Sequence, residues 1–199
     1  MFSGIIAALG RIEKRSPLEK GVRLSIDAAG LGMDDVAIGD SIAVNGVCLT
    51  VVEKTARGFA ADVSEESLRV TAGLDKPGEV NLEKALRLAD RIGGHLVTGH
   101  VDGVGEVIAF ERIGESHRLL VRAPEALAKY IARKGSITLQ GVSLTVNAVT
   151  GREFEVNLIP HTVQVTTLRH LKPGAPVNLE IDLIARYVER ILEGAGPGA

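Results

Sequence analysis

The sequence predicts an all-β protein built from two similar small barrels and one C-terminal helix. Displaced by 95 residues, the segment 41–51 (SIAVNGVCLTV) coincides with the segment 136–146 (SITLQGVSLTV), so the chain contains an internal duplication. Both segments are rich in β-branched residues and punctuated by glycines, which is typical of short strands joined by tight turns. Such strands close most easily as small barrels, because closure removes exposed edges.

Short helical segments interrupt the predicted strands. We expect strands at 44–52 and 139–149. Ser64, followed by two glutamates, has the pattern of a helix N-cap with an acidic first turn. Residues 124–133, with Gly135 beyond them, predict a helix of about two to three turns.

The two copies meet near Gly93 and Gly94, a flexible pair that follows the first of two VNLE blocks. We therefore expect a first domain at residues 1–94 and a second at residues 95–181. The remaining residues, 182–199, have no counterpart in the first copy.

The C-terminal segment predicts an amphipathic helix that begins after Asp182 and ends at Gly194. Its apolar residues recur at helical spacing: Ile184, Val188, Ile191 and Leu192. This stripe is buried either against the chain's own barrels or against the same helix of sister chains, and we favour the oligomer. The glycine-rich tail after the helix is expected to be flexible.

Composition excludes several classes of protein. With 45% hydrophobic residues, 24% charged residues and a net charge of −2, the chain is neither an extended disordered protein nor a binder of nucleic acid by phosphate neutralisation. Its single cysteine, Cys48, excludes an intrachain disulfide and fits a reducing, cytoplasmic location. The apolar stretch 5–9 is too short to span a membrane, and no basic residues precede it as in a signal peptide.

Common motifs for phosphate binding and nucleophilic catalysis are missing. The sequence contains neither a GxxxxGK[ST] phosphate loop nor a GxSxG nucleophile motif. His95 and His100 form an H-x4-H pair, but the other three histidines complete no metal-ligand spacing. We therefore interpret this pair as turn residues and expect no metal site.

A polar pair that both copies keep is the strongest candidate site. Cys48 and Thr50 in the first copy match Ser143 and Thr145 in the second. Alternate residues of a strand share a face, so each pair points the same way. These small polar side chains either fill a tapering barrel interior or hold a ligand. Their retention in both copies, while much of the intervening surface has diverged, favours the ligand site.

The copies also differ at positions suited to chemistry: Ile5 against His100, Glu66 against His161, Ser67 against Thr162, and Cys48 against Ser143. Two like binding units with unlike reactive side chains suit a reaction between two like molecules in unlike roles. A histidine with an ordinary pKa of about 6.5 moves protons at neutral pH. Glycines near His100 let the backbone there approach a ligand closely.

Five motifs in order resemble the riboflavin synthase alpha chain family, and the resemblance covers essentially the whole chain, including the duplication and the extra helix. The motifs are MFSGII at 1–6, NGVCLTV at 45–51, GGHLVTGHV at 93–101, GVSLTV at 141–146 and LIPHT at 158–162. Ser3 and Ser67 stand where the family has threonine, and both keep a hydroxyl group.

The resemblance implies a fold and an activity. Each half would be a six-stranded antiparallel Greek-key barrel that binds one 6,7-dimethyl-8-ribityllumazine. One lumazine would give a four-carbon unit to the other, forming riboflavin and 5-amino-6-ribitylaminouracil without a metal, flavin or nicotinamide cofactor. The family's homotrimer, held partly by its C-terminal helices, would place each active site between the N-terminal barrel of one chain and the C-terminal barrel of a neighbour.

The resemblance also implies site residues. His100 would transfer a proton, while Ser143, Thr145 and Cys48 would orient or activate a nucleophile at C7 of the acceptor. Ligand contacts in the first half would be Gly4, Ile5, Ile6, Cys48, Leu49, Thr50, Asp62, Val63, Ser64, Glu65, Glu66 and Ser67. Those in the second half would be Gly99, His100, Val101, Lys134, Ser143, Leu144, Thr145, Ile159, Pro160, His161, Thr162, Val163 and Gln164.

Two other functions compete with this interpretation. A non-catalytic lumazine or flavin carrier of the same fold would keep one pocket and lose the other, whereas both C/S-L-T motifs and His100 are present here. A flavin-reductase-like barrel or a purely structural oligomerisation module leaves the repeated polar residues unexplained. Titration with a lumazine analogue separates them, since two sites per chain favour the synthase, one favours the carrier and none favours the structural module.

Overall fold

The computed structural model of the chain describes residues 1–194, which form two closed six-stranded antiparallel barrels. The first barrel consists of β1 (Ala8–Leu18), β2 (Gly21–Asp27), β3 (Ser41–Val44), β4 (Val47–Lys54), β5 (Gly58–Ser64) and β6 (Gly78–Lys84). The second consists of β7 (Gly103–Ile113), β8 (Ser116–Arg122), β9 (Ser136–Leu139), β10 (Val142–Thr150), β11 (Glu153–Leu158) and β12 (Pro176–Ile181). The tail predicted to be flexible lies, from residue 195 on, outside the described residues.

Both barrels have the same Greek-key topology. The hydrogen-bonded order is β1-β2-β5-β4-β3-β6 in the first barrel and β7-β8-β11-β10-β9-β12 in the second. Pairing of β1 with β6, and of β7 with β12, closes each sheet on itself. The structure thus confirms the fold class that the duplicated strand pattern predicts.

Tight hairpins join β3 to β4 and β9 to β10. Asn45 and Gly46 have φ values of 48° and 82°, and Gln140 and Gly141 have φ values of 51° and 79°. Positive φ at both central residues matches the type I′ turn, whose twist fits a two-residue hairpin. A side chain at either glycine would also collide with the other hairpin, because an ideal Cβ on Gly46 would lie 2.7 Å from the Gly141 nitrogen. The two barrels therefore meet at these turns.

Aliphatic side chains fill the two barrel interiors. Along β4, Val47, Leu49 and Val51 are buried in the first core, and the intervening residues point outward. Each core also contacts one residue from a segment outside the strands, and that segment belongs to the other half of the chain. Ile6 packs against the core of the second barrel, whereas Val101 packs against the core of the first.

The asparagines of the two VNLE blocks connect the barrels. Asn81 donates from its side-chain nitrogen to the Gln140 carbonyl (2.9 Å), and Asn178 donates likewise to the Asn45 carbonyl (3.0 Å). Both asparagines are almost fully buried. Their amides need partners there, because an unsatisfied buried polar group costs about 1–3 kcal/mol. The reciprocal bonds fix the two barrels in a pseudo-two-fold arrangement.

Helices α1 (Glu65–Val70), α2 (Glu125–Ala128) and α3 (Pro160–Val165) are short. Ser64 accepts a hydrogen bond from the Ser67 backbone nitrogen, which confirms the predicted N-cap. The prediction of two to three turns at 124–133 is wrong, since α2 has only four residues. Beyond it the Tyr130 and Ile131 nitrogens bond to carbonyls three residues back, and this tighter turn buries Ile131 in the second core.

The C-terminal helix α4 (Leu183–Gly194) forms as predicted, and Asp182 accepts a hydrogen bond from the Ile184 nitrogen at its start. Its apolar stripe is not buried against the chain's own barrels. Ile184, Ile191 and Leu192 are 67–68% exposed, and polar contacts such as Arg186 to Asp102 (2.9 Å) hold the helix to the second barrel. Within residues 1–194, no helix combines the length and the hydropathy that a membrane-spanning helix needs.

Candidate functional site

Two chain segments outside the strands run between the barrels, and we call residues 1–7 the first arm and residues 94–101 the second arm. In the first arm, the Ser3 backbone nitrogen and hydroxyl both donate to Glu83 Oε1 (2.7 Å each). The Gly4 nitrogen donates to Glu83 Oε2 (3.0 Å). The Gly4 carbonyl then accepts a hydrogen bond from the Ser143 nitrogen (2.7 Å), so the arm bridges a strand of each barrel.

The second arm repeats this geometry with the barrels exchanged. The Thr98 nitrogen and hydroxyl donate to Glu180 Oε1 (2.7 and 2.6 Å), and the Gly99 nitrogen donates to Glu180 Oε2 (3.0 Å). The Gly99 carbonyl accepts a hydrogen bond from the Cys48 nitrogen (2.8 Å). Each arm is therefore anchored on the last strand of one barrel and lies against the polar pair of the other.

Gly4 and Gly99 are required at these contacts. Their φ values are +76° and +78°, a region that other residues adopt only with strain. A Cβ on Gly4 would lie 2.6 Å from the Ser143 Cβ, and one on Gly99 would lie 2.7 Å from the Cys48 Cβ. The glycines thus allow the arms to approach the strands closely.

The polar pairs lie on the outer faces of the barrels. Leu49 points into the first core, so Cys48 and Thr50 on either side of it point outward, where Cys48 is half-buried and Thr50 is exposed. Ser143 and Thr145 occupy the matching positions on β10, half-buried and exposed respectively. This arrangement rules out the alternative that these small side chains fill the barrel interiors.

The predicted contacts group around the two polar pairs. The Cys48 group comprises residues 48–50, 62–67 and 99–101, because β5 pairs with β4 beside Thr50 and leads into α1. The Ser143 group comprises residues 4–6, 134, 143–145 and 159–164, since β11 pairs with β10 and leads into α3.

The barrels that the arms contact do not follow the order of the halves. Gly4, Ile5 and Ile6 belong to the first half of the chain, but the first arm lies against Ser143 in the second barrel. The second arm likewise lies against Cys48 in the first barrel. Each arm lies against the barrel that the other half of the chain forms. Position along the chain therefore does not reveal which pocket an arm completes.

Two carboxylates of the Cys48 group pair with arginines. Arg23 donates to both oxygens of Asp62 (2.7 and 3.0 Å) and lowers the pKa of that carboxyl. Arg69 donates to Glu66 from the same helix. The backbone of residues 62–64, rather than these side chains, therefore remains to meet a ligand.

His95 joins the site, although the sequence interpretation treated it as a turn residue. Its Nδ1 lies 2.7 Å from Ser143 Oγ, and burial lowers the pKa of the imidazole. Gly94 permits the contact, since a Cβ there would come within 2.7 Å of Ser143 Oγ. The duplication carries no signal for His95, because displacement by 95 residues would place its counterpart before Met1.

Other predicted residues lie at the surface of the two groups. His100 is exposed and directly follows Gly99, and His161 is exposed on α3. Lys134 is exposed with a φ of 66°, and its backbone nitrogen donates to the Val146 carbonyl (2.8 Å). Each polar pair thus has an imidazole nearby, His95 in contact with Ser143 and His100 on the arm that contacts Cys48.

A cleft of about 620 Å³ lies beside the first arm and the end of β6. It is lined by Ser3, Ile5, Glu83 and Arg87 among others, but by no residue of either polar pair. Among residues 1–194, no three His, Cys, Asp or Glu side chains are arranged to hold a metal ion.

Comparison with known proteins identifies relatives of the whole chain. The family described as Lumazine binding domain matches residues 3–85 and 98–182, one match for each barrel. A riboflavin synthase of Photobacterium phosphoreum is 49% identical over 96% of this chain and 89% of its own, and one of Brucella abortus is 46% identical over 97% and 98%. Among solved structures, LumP complexed with 6,7-dimethyl-8-(1'-D-ribityl) lumazine superposes with a TM-score of 0.81 at 26% identity, covering 91% of this chain and 99% of LumP.

Proposed function

The chain belongs to the riboflavin synthase family, and we propose that it converts two molecules of 6,7-dimethyl-8-ribityllumazine into riboflavin and 5-amino-6-(D-ribitylamino)uracil. The reaction transfers a four-carbon unit from one lumazine to the other, and the two products together contain all atoms of the two substrates. The observation that carries the proposal is the pair of matching surface groups with unlike reactive side chains, Cys48 in one and Ser143 in the other.

We assign one lumazine to each group. In the Cys48 group, the backbone of residues 62–64 suits the polar edge of a flat heterocycle, and the hydroxyls of Thr50 and Ser67 suit the ribityl chain. In the Ser143 group, residues 159–161 and Thr145 take the same roles. LumP, which shares this fold, has been crystallised with the same lumazine and with riboflavin, which supports these ligands.

The chemistry needs a nucleophile at C7 of the acceptor and a base that removes a proton from the C7 methyl of the donor. Ser143 fits the orientation or activation of that nucleophile, because its hydroxyl lies within hydrogen-bond reach of a neutral imidazole that can accept a proton. The lowered pKa of His95 keeps that imidazole neutral at physiological pH. Thr145 and Cys48 orient the substrates, and His100 transfers protons.

Alignment of the two heterocycles supplies a further part of the rate enhancement. The reaction joins two substrates, so holding them in register removes the entropic cost of their encounter. Orientation of this kind contributes about 7–11 kcal/mol in favourable systems. The strands around each group, and the arms that hydrogen bonds anchor to Glu83 and Glu180, suit this role.

We propose that the active site forms between chains of a homotrimer. A Cys48 group of one chain then faces a Ser143 group of its neighbour, and the exposed stripe of α4 supports the assembly. In this scheme residues 1–94 and 95–181 are the two lumazine-binding domains, and residues 182–199 contain the trimerisation helix. The half-buried thiol of the only cysteine suits a reducing cytoplasmic compartment.

The test is an absorbance and fluorescence assay of purified protein with 6,7-dimethyl-8-ribityllumazine and nothing else added. We expect half a mole of riboflavin for each mole of lumazine consumed. Bound lumazine without conversion would contradict the enzyme and favour a carrier of the same fold. If the protein neither binds nor converts the lumazine, the result would favour a purely structural role.

A further inference from the structure

We propose that Glu83 and Glu180 are positioning residues, each of which shapes the substrate pocket of the opposite barrel by holding an arm. This inference rests on the proposed function, because it concerns where the two lumazines bind. The two buried carboxylates have no place in the chemistry described above. The proposal connects them to the two lumazine sites of the Cys48 group and the Ser143 group, which we call the Cys48 pocket and the Ser143 pocket.

The two carboxylates have unusual surroundings. Glu83 is 5% exposed and Glu180 is 2% exposed, and charged side chains are almost never buried to this degree without a partner. Neither carboxylate forms an ion pair within residues 1–194, and each instead accepts three hydrogen bonds from one arm. Burying a charge is costly, so the bonds to the arms must offset much of that cost.

In each arm, two residues connect the buried carboxylate to the pocket. Glu83 fixes the Ser3 and Gly4 nitrogens, and the Gly4 carbonyl then meets the Ser143 nitrogen at 2.7 Å. The next residue, Ile5, is 50% exposed beside the Ser143 group. A shift of the arm at Glu83 therefore moves the wall of the Ser143 pocket.

Glu180 does the same for the Cys48 pocket. It fixes the Thr98 and Gly99 nitrogens, and the Gly99 carbonyl meets the Cys48 nitrogen at 2.8 Å. His100 follows directly, so the position of the proposed proton-transfer group depends on a carboxylate of the other barrel.

Substitution by glutamine preserves shape but breaks this pattern. A carboxylate accepts at both oxygens, whereas an amide accepts at one and donates at the other. In Glu83→Gln, one amide hydrogen would face either the Ser3 donors or the Gly4 nitrogen, and the same holds for Glu180→Gln. The arm must then move away, which costs about a charged hydrogen bond and should weaken ligand binding about tenfold.

The crossed arrangement gives the proposal a distinctive test. Cys48 is the only cysteine, so protection of its thiol from iodoacetamide is the readout for the Cys48 pocket, where the bound probe would cover the thiol directly. The probe is a lumazine with an oxo group in place of the C7 methyl, which has no C7-methyl proton to lose and therefore does not turn over. Equilibrium titration of the same probe reports both pockets together.

We expect Glu83→Gln to leave the Cys48 protection curve within about twofold of wild type and to weaken the other class of sites about tenfold. Glu180→Gln should shift the Cys48 protection curve about tenfold and spare the other class. Glu79→Gln is the matched control, since Glu79 lies on the same strand as Glu83 but pairs with Arg169 at the surface (2.8 Å).

A purely structural role predicts the opposite pattern, because each substitution would then disturb its own barrel first. The proposal is overturned if Glu83→Gln shifts Cys48 protection, or if neither variant changes binding while the wild type binds two probes. A wild-type chain that binds no probe would overturn the proposed function as well. Should the glutamine variants fail to fold, Ser3→Ala and Thr98→Ala remove one donor each and should show the same crossed pattern at smaller amplitude.

Discussion

The two barrels contain the same backbone arrangement around their polar pairs, yet they differ in what touches the reactive side chain. On one side, Ser143 contacts the half-buried imidazole of His95. On the other side, Cys48 has no such partner within residues 1–194, and His100, on the arm that contacts Cys48, is exposed. The glycine contacts that bring the arms to the strands agree between the copies to within about 0.1 Å.

This difference shows which features stayed the same in both copies of the duplication and which diverged. Backbone contacts set where two like substrates lie, so they are repeated. Side chains such as His95 set what each substrate undergoes, so they diverge. Two identical lumazines can therefore take unlike roles in one reaction, and the asymmetry is confined to a few side chains.

The largest effect is expected from removing the imidazole that distinguishes the Ser143 group. His95→Asn keeps a hydrogen-bond donor near Ser143 but removes the base, and kcat should fall roughly 10²–10⁴-fold, the usual contribution of general acid–base catalysis. Steady-state kinetics with lumazine would measure it. In a Ser143→Ala background the same substitution should cost little more, because the two residues act as a unit. Additive losses would contradict a His95 role exercised through Ser143.

The next effect tests the contacts that the barrels share. Gly4→Ala and Gly99→Ala should each displace an arm by a sizeable fraction of an ångström, and turnover should fall about 10²-fold. Gly32→Ala is the control, since Gly32 also has a positive φ (69°) but has no atom within 4 Å of its ideal Cβ. Equal losses in all three variants would mean that backbone strain, and not the close approach, matters.

A smaller effect is expected from α4, the element present in only one copy. Ile191→Glu places a charge in the exposed apolar stripe and should raise the dissociation constant of the oligomer about tenfold or more. Sedimentation velocity over a range of concentrations would measure the shift. Arg190→Gln, on the polar face beside Glu193, should leave assembly unchanged. Unchanged assembly in Ile191→Glu would contradict a stripe buried between chains.

The smallest effect concerns stability and pH. Because burial lowers the pKa of His95, the unfolded chain binds a proton below about pH 6.5 that the folded chain excludes. The free energy of unfolding should therefore fall as pH falls below this value, by about 1.4 kcal/mol for each unit of pKa lowering, and then level off. Urea unfolding of wild type and His95→Asn at several pH values would show a flatter profile in the variant.

Comparison with the variant also separates the pH dependence of stability due to His95 from that due to Glu83. Burial raises the pKa of Glu83, so the folded chain holds that proton more tightly and stability falls as pH rises through the raised pKa. The two groups act in opposite senses, and only the His95 contribution disappears in His95→Asn. Identical profiles in wild type and variant would contradict a buried, neutral His95.

Sequence patterns predicted the local features well wherever the cause is local. The N-cap at Ser64 depends on one hydroxyl and the amide three residues later, and it forms as predicted. The helix at 124–133 is shorter than predicted, because after Ala128 the chain continues in tighter turns that place Ile131 in the second core, a long-range contact that the local pattern does not encode. The order of polar residues along β4 and β10 predicted the shared faces but not whether those faces point inward or outward.

The amino-acid sequence was enough to predict the duplication and the polar pairs, which follow from self-similarity at a displacement of 95 residues, and the strands and C-terminal helix, which follow from periodicity and turn chemistry within a few residues. The crossing of the arms between barrels and the contact of His95 with Ser143 became visible only in the folded chain. Those features depend on contacts between residues 48 to 139 positions apart, such as His95 with Ser143 and Gly4 with Ser143. No local pattern encodes them, since they arise only when both closed barrels pack against each other.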